Sequence, residues 1–332
     1  MEKKYLYDNI LIKYVYKNSI YTSSNKLIIS FSAFSTKGNK PQYSYMRTLE
    51  GIDINQLFVL DDKNDRGSYY LGEYPDFQIE KATTSLIECI LKTHDINKEN
   101  VMCIGSSKGG WAALYYAIKL GLGYAVVGEP QIFLASYLLH AKAYDVLEYI
   151  SGKSICNNEI LDNILFDSAK ARKAEGDNIP NILIHAGRNG YHYKEHIEPF
   201  LNYAKEMGIE IDTDLEDYSE HNDLIKYYPS LLINKIFSIF KELNNTLCIK
   251  SISVKQHSSK FICRIEHNNG VKFAWYVYLN GDIVFTRWYE DSEEFIYNAN
   301  KVGKYKFIGF AADDKGNKLS MSTTVFDVNE II

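Results

Sequence analysis

The feature that most constrains the fold is a turn rich in glycine and serine between an apolar run and a helix-forming segment. The run Val101–Ile104 leads into Gly105-Ser106-Ser107-Lys108-Gly109, and good helix formers follow over residues 111–120. A strand, a G-x-S-x-G turn and a helix in this order are typical of a nucleophile elbow. The backbone of the serine is strained in such a turn, so small neighbours are needed on both sides. The pattern predicts Ser107 as a nucleophile, and the alternative is a phosphate-binding turn at a helix N-terminus.

Strand-like runs and helical periodicity alternate through the first two thirds of the chain. Residues 79–93 have apolar side chains at helical spacing. The apolar strand-like runs lie at residues 57–62, 101–105, 124–128 and 181–186. This alternation predicts a doubly wound parallel sheet of the α/β-hydrolase type over residues 1–245. Residues 131–178 carry no strand signal, which predicts either a lid over the site or a pair of packing helices.

The pattern changes after residue 245. Segments such as Phe273–Leu279 and Tyr305–Phe310 alternate with period two, and turn signals such as Asn280-Gly281 separate them. Short alternating strands at this spacing predict a second domain over residues 246–332. We expect an antiparallel β-sandwich of the immunoglobulin or fibronectin type.

Two backbone positions are candidate donors to an oxyanion. The N–H of Lys108 lies at the start of the predicted helix, where the helix dipole favours negative charge. In an α/β-hydrolase the loop after an earlier strand supplies the second N–H. The run Lys26–Phe31 is such a strand, and it is followed by Ala33 and Phe34. We expect one of these two residues to be the second donor, and an ordinary strand end is the alternative.

The general base is expected late in the chain, because the order in this fold is serine, acid, histidine. His221 follows the last predicted strand of the sheet, in Ser219-Glu-His-Asn-Asp, and is the predicted base. His185 is a competitor but lies inside a strand. His192 and His196 are nearer to the position of the acid.

The acid is the least regular member of the predicted set. It is expected soon after the strand that ends at Gly187, yet Gly187-Arg-Asn-Gly contains no carboxylate. Glu195 is the nearest acid downstream, and we take it as the predicted third member. Asp217 and Glu220 are closer in sequence to the predicted base. A Ser–His dyad, or an asparagine at position 189 that orients the imidazole, is the other option.

Composition excludes several classes of protein. The formal net charge of the 332 residues is −5, and Lys and Arg are spread along the chain. The sequence therefore shows no cluster of positive charge of the kind that binds nucleic acid. Five cysteines without C-x-x-C spacing predict buried free thiols in a reducing compartment and no metal site. Neither a secretion signal nor an apolar run of membrane-spanning length is visible. We therefore expect a cytoplasmic protein, with the inner face of the membrane as an alternative location.

Four segments together resemble bacterial α/β-hydrolase proteins of capsule and surface-glycan loci. They are Ser30–Phe34, Gly67–Gly72, Gly105–Tyr116 and Gly128–Ile132. The chain resembles the XcbB/CpsF-like capsular polysaccharide biosynthesis proteins in particular. It is also similar to the glycan O-acetylating hydrolase-fold proteins of the accessory Sec system. The resemblance covers roughly residues 25–235.

This resemblance implies serine-dependent acyl chemistry on a surface or capsular polysaccharide, either O-acetyl transfer or ester hydrolysis. It implies no tightly bound cofactor, with acetyl-CoA as a candidate acyl donor. The expected partners are a glycan or acyl-ester substrate and proteins of capsule assembly or export. The alternatives are a binding or assembly protein with little or no activity, and a peptidase or thioesterase that uses the same serine.

Overall fold

The computed structural model describes residues 1–21, 25–35, 38–176 and 178–331. The chain forms two compact units. The first unit comprises Met1–Asn18, Ser24–Tyr45 and Ile54–Ser230. The second unit comprises Ser19–Ser23, Met46–Asp53 and Leu231–Ile332.

The first unit contains an eight-stranded sheet. Its strands are β1 (Lys3–Tyr7), β2 (Ile10–Lys17), β3 (Leu27–Phe31), β4 (Asn55–Leu60), β5 (Val101–Ser106), β6 (Tyr124–Gly128), β7 (Asn181–Gly187) and β8 (Ile211–Glu216). Their order in the sheet is β1-β2-β4-β3-β5-β6-β7-β8. The pairs β1–β2 and β2–β4 are antiparallel, whereas every pair from β4 to β8 is parallel. The predicted doubly wound parallel sheet is therefore confirmed.

Helices follow the parallel strands. They are α1 (Gln78–Thr93), α2 (Lys108–Leu120), α3 (Leu134–His140), α4 (Tyr144–Ile150), α5 (Asn158–Ala174), α6 (Glu198–Glu206) and α7 (Leu224–Ile239). Helix α1 shows the reason for their packing, because Ile79, Ala82, Leu86 and Ile90 recur at helical spacing and are all buried. The apolar faces of α3, α4 and α5 belong to the same core cluster as the strands.

The centre of the sheet is closed to solvent. Strands β3, β4 and β5 are buried over their whole length, as is typical of parallel strands that are covered on both faces. This rigid centre holds the end of β5, from which the turn at Ser107 departs.

The second unit contains two antiparallel sheets. Its strands are β9 (Cys248–His257), β10 (Lys260–Asn268), β11 (Lys272–Leu279), β12 (Asp282–Glu290), β13 (Glu294–Asn298), β14 (Gly303–Ala312) and β15 (Lys318–Val328). The sheet orders are β13-β10-β9 and β12-β11-β14-β15. Side chains from both sheets, among them Phe261, Trp275 and Phe307, form one apolar cluster. The predicted β-sandwich is therefore confirmed.

The cysteines are free thiols, but they do not share one environment. Cys103, Cys248 and Cys263 are buried, whereas Cys89 and Cys156 are exposed. The prediction of buried thiols is therefore right for three of the five. Within the described ranges, no helix combines the length and apolar character needed to cross a membrane.

Candidate active site

Ser107 occupies a strained turn between β5 and α2. Its backbone has a φ of 55° and a ψ of −121°, in a region that L-residues with a side chain rarely adopt. The turn is held by two backbone hydrogen bonds. The N–H of Ser107 donates to the carbonyl oxygen of Gly128 at 2.9 Å. The N–H of Trp111 donates to the carbonyl oxygen of Ser107 at 3.0 Å. This is the geometry of a nucleophile elbow.

The two glycines of the motif are needed because the backbone segments approach closely. A Cβ atom at Gly105 would lie 2.2 Å from the carbonyl oxygen of Gly109. A Cβ atom at Gly109 would lie 2.5 Å from the carbonyl oxygen of Phe31. Both contacts are to backbone, which cannot swing aside, so a side chain at either position would displace the helix from the sheet.

The carboxylate paired with His221 is that of Glu129. Glu129 directly follows β6, is 1% exposed and has a φ of 41°. Its Oε1 accepts a hydrogen bond from the N–H of Gly187 at 3.1 Å, and its Oε2 is hydrogen-bonded to Nδ1 of His221. An ionised carboxylate only accepts, so Nδ1 of His221 carries the proton and Nε2 has a free lone pair. The pair can therefore take a proton at Nε2.

The predicted acid, Glu195, lies elsewhere. It is exposed, within the π-helical turn Tyr193–Ile197, and the hydrogen-bonded carboxylate of His221 is instead Glu129. Asp217, another candidate, is exposed and forms an ion pair with Arg188 at 3.2 Å.

The difference arises because the acid was expected after β7, whereas the chain supplies a carboxylate after β6. Glu129 lies between Ser107 and His221 in the chain, at the end of β6, which is the neighbour of β5 in the sheet. That position is the sequence signal that could have identified it.

Two other histidines lie close to this pair but differ in their partners. The ring of His192 stacks on that of His221, with ring centroids 4.1 Å apart and an angle of 16° between the planes. Burial, together with smaller contributions from the charges of the neighbouring histidines, lowers the pKa of His192 to about 2. His192 is therefore neutral. His185 has both ring nitrogens engaged, with Asp214 at 2.6 Å and the hydroxyl of Tyr218 at 3.1 Å.

Glu129, His192 and His221 bring three atoms that could bind a metal within 4.8 Å of one another. A metal ion bound by an imidazole lies near the plane of its ring, along the nitrogen lone pair. The nearly parallel planes of His192 and His221 do not converge on one point in that way. The arrangement therefore fits a hydrogen-bonded acid–base pair with a stacked neighbour better than a metal site.

The predicted oxyanion donors differ in their surroundings. The N–H of Lys108 lies at the start of α2, directly after Ser107. The N–H of Ala33 donates to Oγ of Ser44 at 3.0 Å, so it already has an acceptor. The ring of Phe34 lies beside that of Tyr69, with centroids 6.0 Å apart.

The side chain of Lys108 forms a fully buried ion pair with Asp61. Its Nζ lies 2.8 Å from Oδ2 of Asp61, and both side chains are 0% exposed. Burial lowers the pKa of Lys108, and the negative charge of Asp61 opposes that change. The same carboxylate accepts hydrogen bonds from the N–H and the hydroxyl of Ser68, at 2.7 and 2.9 Å. The buried ion pair therefore connects the first residue of α2 to the loop after β4.

The hydroxyl of Ser107 has a side-chain partner that the sequence did not reveal. Nε2 of Gln131 donates to Oγ of Ser107 at 2.6 Å, and the amide is fully buried. The loop Gly128–Gln131 thus contacts Ser107 at both ends and carries Glu129 between them. This short loop joins Ser107 to the hydrogen-bonded pair of Glu129 and His221.

No protein-family model matches the sequence, and no curated protein matches it significantly. Several solved structures are similar to the chain. The chain is similar to a capsule O-acetyltransferase of Neisseria meningitidis serogroup A, with 25% identity and a TM-score of 0.58, over 70% of this chain and 93% of that one. A histidine-to-alanine mutant of that enzyme in complex with CoA aligns with a TM-score of 0.59 and 25% identity, over 71% and 94% of the two chains.

A more distant similarity concerns the fold alone. The fluorophosphonate-binding serine hydrolase FphF of Staphylococcus aureus is 14% identical, with a TM-score of 0.55, over 73% of this chain and 97% of that one. The predicted α/β-hydrolase fold is therefore confirmed. Structural neighbours of this chain include a capsule O-acetyltransferase and a serine hydrolase.

Proposed function

We propose that this chain is a serine-dependent acyl-ester enzyme that O-acetylates a bacterial surface or capsular polysaccharide. The observation that carries the proposal is the loop Gly128–Gln131, which contacts the strained Ser107 and pairs Glu129 with His221. A nucleophile at an elbow, an imidazole and a buried carboxylate are the parts that acyl transfer requires. We assign them to Ser107, His221 and Glu129.

In the proposed mechanism Oγ of Ser107 attacks the carbonyl carbon of an acetyl thioester, and Nε2 of His221 takes the hydroxyl proton. The carbonyl electrons move to oxygen, and the N–H of Lys108 stabilises the oxyanion. Collapse of the tetrahedral intermediate breaks the carbon–sulfur bond, and the imidazolium returns the proton to the leaving thiolate. A sugar hydroxyl then attacks the acetyl-serine by the same steps, which yields the O-acetyl sugar and free Ser107.

The choice of donor and acceptor follows from the capsule O-acetyltransferase, which aligns over nearly its whole length and was also solved with CoA. We propose acetyl-CoA as the donor and a capsular glycan hydroxyl as the acceptor. We also propose that the chain belongs with the XcbB/CpsF-like proteins and acts in the cytoplasm with capsule assembly or export proteins.

One of the alternatives loses part of its support. A binding or assembly role draws on the lack of an acid after Gly187 and on the appended β-sandwich. Glu129 offers a carboxylate to His221 from the end of another strand, and we propose it as the acid. This supports the enzymatic proposal over the degenerate one.

The test is acetyl transfer from acetyl-CoA to a panel of purified capsular polysaccharides, read by mass spectrometry of the glycan. Ser107→Ala should lower the rate by several orders of magnitude. Ser106→Ala is the matched control, because its hydroxyl accepts a hydrogen bond from Tyr45 at 2.7 Å and lies one residue away. Wild-type transfer by Ser107→Ala would overturn the proposal. Ester hydrolysis without transfer to any glycan would make the protein an esterase instead.

A further inference from the structure

The amide of Gln131 is held in one orientation beside the nucleophile. Its Nε2 donates to Oγ of Ser107 at 2.6 Å, and its Oε1 accepts from the hydroxyl of Tyr69 at 2.6 Å. Both Gln131 and Tyr69 are completely buried. Because the tyrosine hydroxyl takes the oxygen end, the nitrogen end of the amide faces the serine.

The position of Tyr69 shows on which side of the nucleophile this amide lies. Tyr69 stands in the loop after β4, and its ring neighbours that of Phe34, 6.0 Å away between centroids. Phe34 belongs to the loop after β3, the segment from which a second oxyanion donor is expected. The amide of Gln131 therefore lies between Oγ of Ser107 and a tyrosine whose ring neighbours the loop after β3.

One of the two backbone donors predicted on this side already has an acceptor. The N–H of Ala33 is engaged with Oγ of Ser44 at 3.0 Å. The amide nitrogen of Gln131 carries two hydrogens, and only one of them is used on Oγ of Ser107. Among the residues that the structure describes, the second N–H has no acceptor, so it can donate to an atom bound next to the serine oxygen.

We propose that the side-chain amide of Gln131 is an oxyanion donor, acting together with the N–H of Lys108. When Oγ bonds to the carbonyl carbon, negative charge develops on the oxygen attached to that same carbon. A donor already within hydrogen-bonding distance of Oγ needs little movement to bind that oxygen. Tyr69 is a positioning residue that keeps the amide nitrogen directed at the reacting atoms.

The inference rests on the proposed serine chemistry but not on the glycan, so the assay uses p-nitrophenyl acetate and its thiono analogue. Gln131→Leu removes both N–H groups with a similar side-chain volume. Loss of one oxyanion donor should slow the oxygen ester about 10²- to 10³-fold. The thiono ester should slow much less, because sulfur is a weaker hydrogen-bond acceptor than oxygen, so the ratio of the two rates falls. Tyr69→Phe keeps the donor and should lower this ratio less than Gln131→Leu does.

The outcomes separate the two proposals. If Ser107→Ala retains wild-type hydrolysis, the proposed nucleophile is wrong. If Ser107→Ala is inactive but Gln131→Leu hydrolyses both esters at wild-type rates, only the role of Gln131 is refuted. Equal slowing of both esters in a folded Gln131→Leu protein, checked by its circular dichroism and melting temperature, would likewise refute it, since that pattern indicates a structural effect.

Discussion

Replacing Glu129 by glutamine tests the acid with almost no change of shape. In the native protein Oε1 of Glu129 accepts from the N–H of Gly187, and Oε2 pairs with Nδ1 of His221. Glutamine has one oxygen and one NH₂ group in place of these two acceptors. The N–H of Gly187 is a fixed backbone donor, so it selects the oxygen, and the NH₂ group then faces His221.

This exchange reverses the tautomer of the imidazole. Nδ1 of His221 must become the acceptor, which moves the proton to Nε2 and leaves no lone pair to receive the proton of Ser107. A wrong tautomer of this kind lowers the turnover number about 10⁴-fold in a serine protease triad. A similar factor corresponds to about 5 kcal/mol of transition-state stabilisation. The hydrogen bond to Gly187 is kept, so the free energy of unfolding should change little.

The assay is steady-state hydrolysis of p-nitrophenyl acetate, with urea unfolding of the same samples. Glu195→Gln is the control, because it removes a carboxylate that is exposed in the π-helical turn. We expect near wild-type turnover from this control. A Glu129→Gln protein within tenfold of the wild-type rate, or a Glu195→Gln protein as slow as Ser107→Ala, would refute the assignment of the acid.

Three further predictions concern stability. Lys108→Met leaves the buried carboxylate of Asp61 unpaired and should lower the free energy of unfolding in urea by about 3–5 kcal/mol; a loss below about 1 kcal/mol would mean that the pair is not isolated from water. The pKa of His192 is about 2 in the folded protein, far below the 6.5 of an unperturbed histidine. The unfolded state therefore binds the proton first, and stability is fully present above pH 6.5. Below pH 6.5 the free energy of unfolding should fall by about 1.4 kcal/mol per pH unit. The variant His192→Phe should show a smaller slope, and a pH profile equal to that of the wild type would contradict this prediction. Gly51→Ala would put a Cβ atom 2.2 Å from the carbonyl oxygen of Ile249 and should lower the melting temperature of the second unit, which calorimetry would detect; equal melting would show that the backbone yields there.

The elbow could be predicted from the sequence because its determinants are local. Gly105, Ser107 and Gly109 lie within five consecutive positions, and the strand and helix around them have clear patterns. The order of the strands predicts His221 as the base, and in the structure His221 pairs with a buried carboxylate. Local pattern and strand order together therefore located two of the proposed catalytic side chains.

The sequence contains only a weak signal for the proposed acid, its position after β6, and none for the proposed amide donor. Glu129 and His221 are 92 positions apart, and their contact depends on where β6 lies in the sheet rather than on any spacing. Gln131 and Tyr69 are 62 positions apart and become partners only when both are buried beside Ser107. A single glutamate or glutamine after a strand is common, so residue type alone does not distinguish these from surface residues.

The division of the chain into two units also depends on contacts between residues far apart in sequence. Residues 46–53 belong to the second unit, where Ile52 pairs with Cys248. The change to period two after residue 245 predicts the strands of that unit. It does not indicate that residues 46–53 also belong to it. The boundary predicted at residue 245 therefore follows the change in the sequence pattern, whereas the contacts of residues 46–53 could not be predicted from that pattern.

The most direct test of the proposed chemistry is to look for the acetyl-enzyme. The protein is mixed with acetyl-CoA, quenched in acid at short times, digested and analysed by peptide mass spectrometry. We predict one acetyl group on the peptide that contains Ser107, and its loss to a sugar hydroxyl when capsular polysaccharide is added before the quench. Acetyl transfer to the polysaccharide without any acetylation of Ser107 would contradict the proposed mechanism.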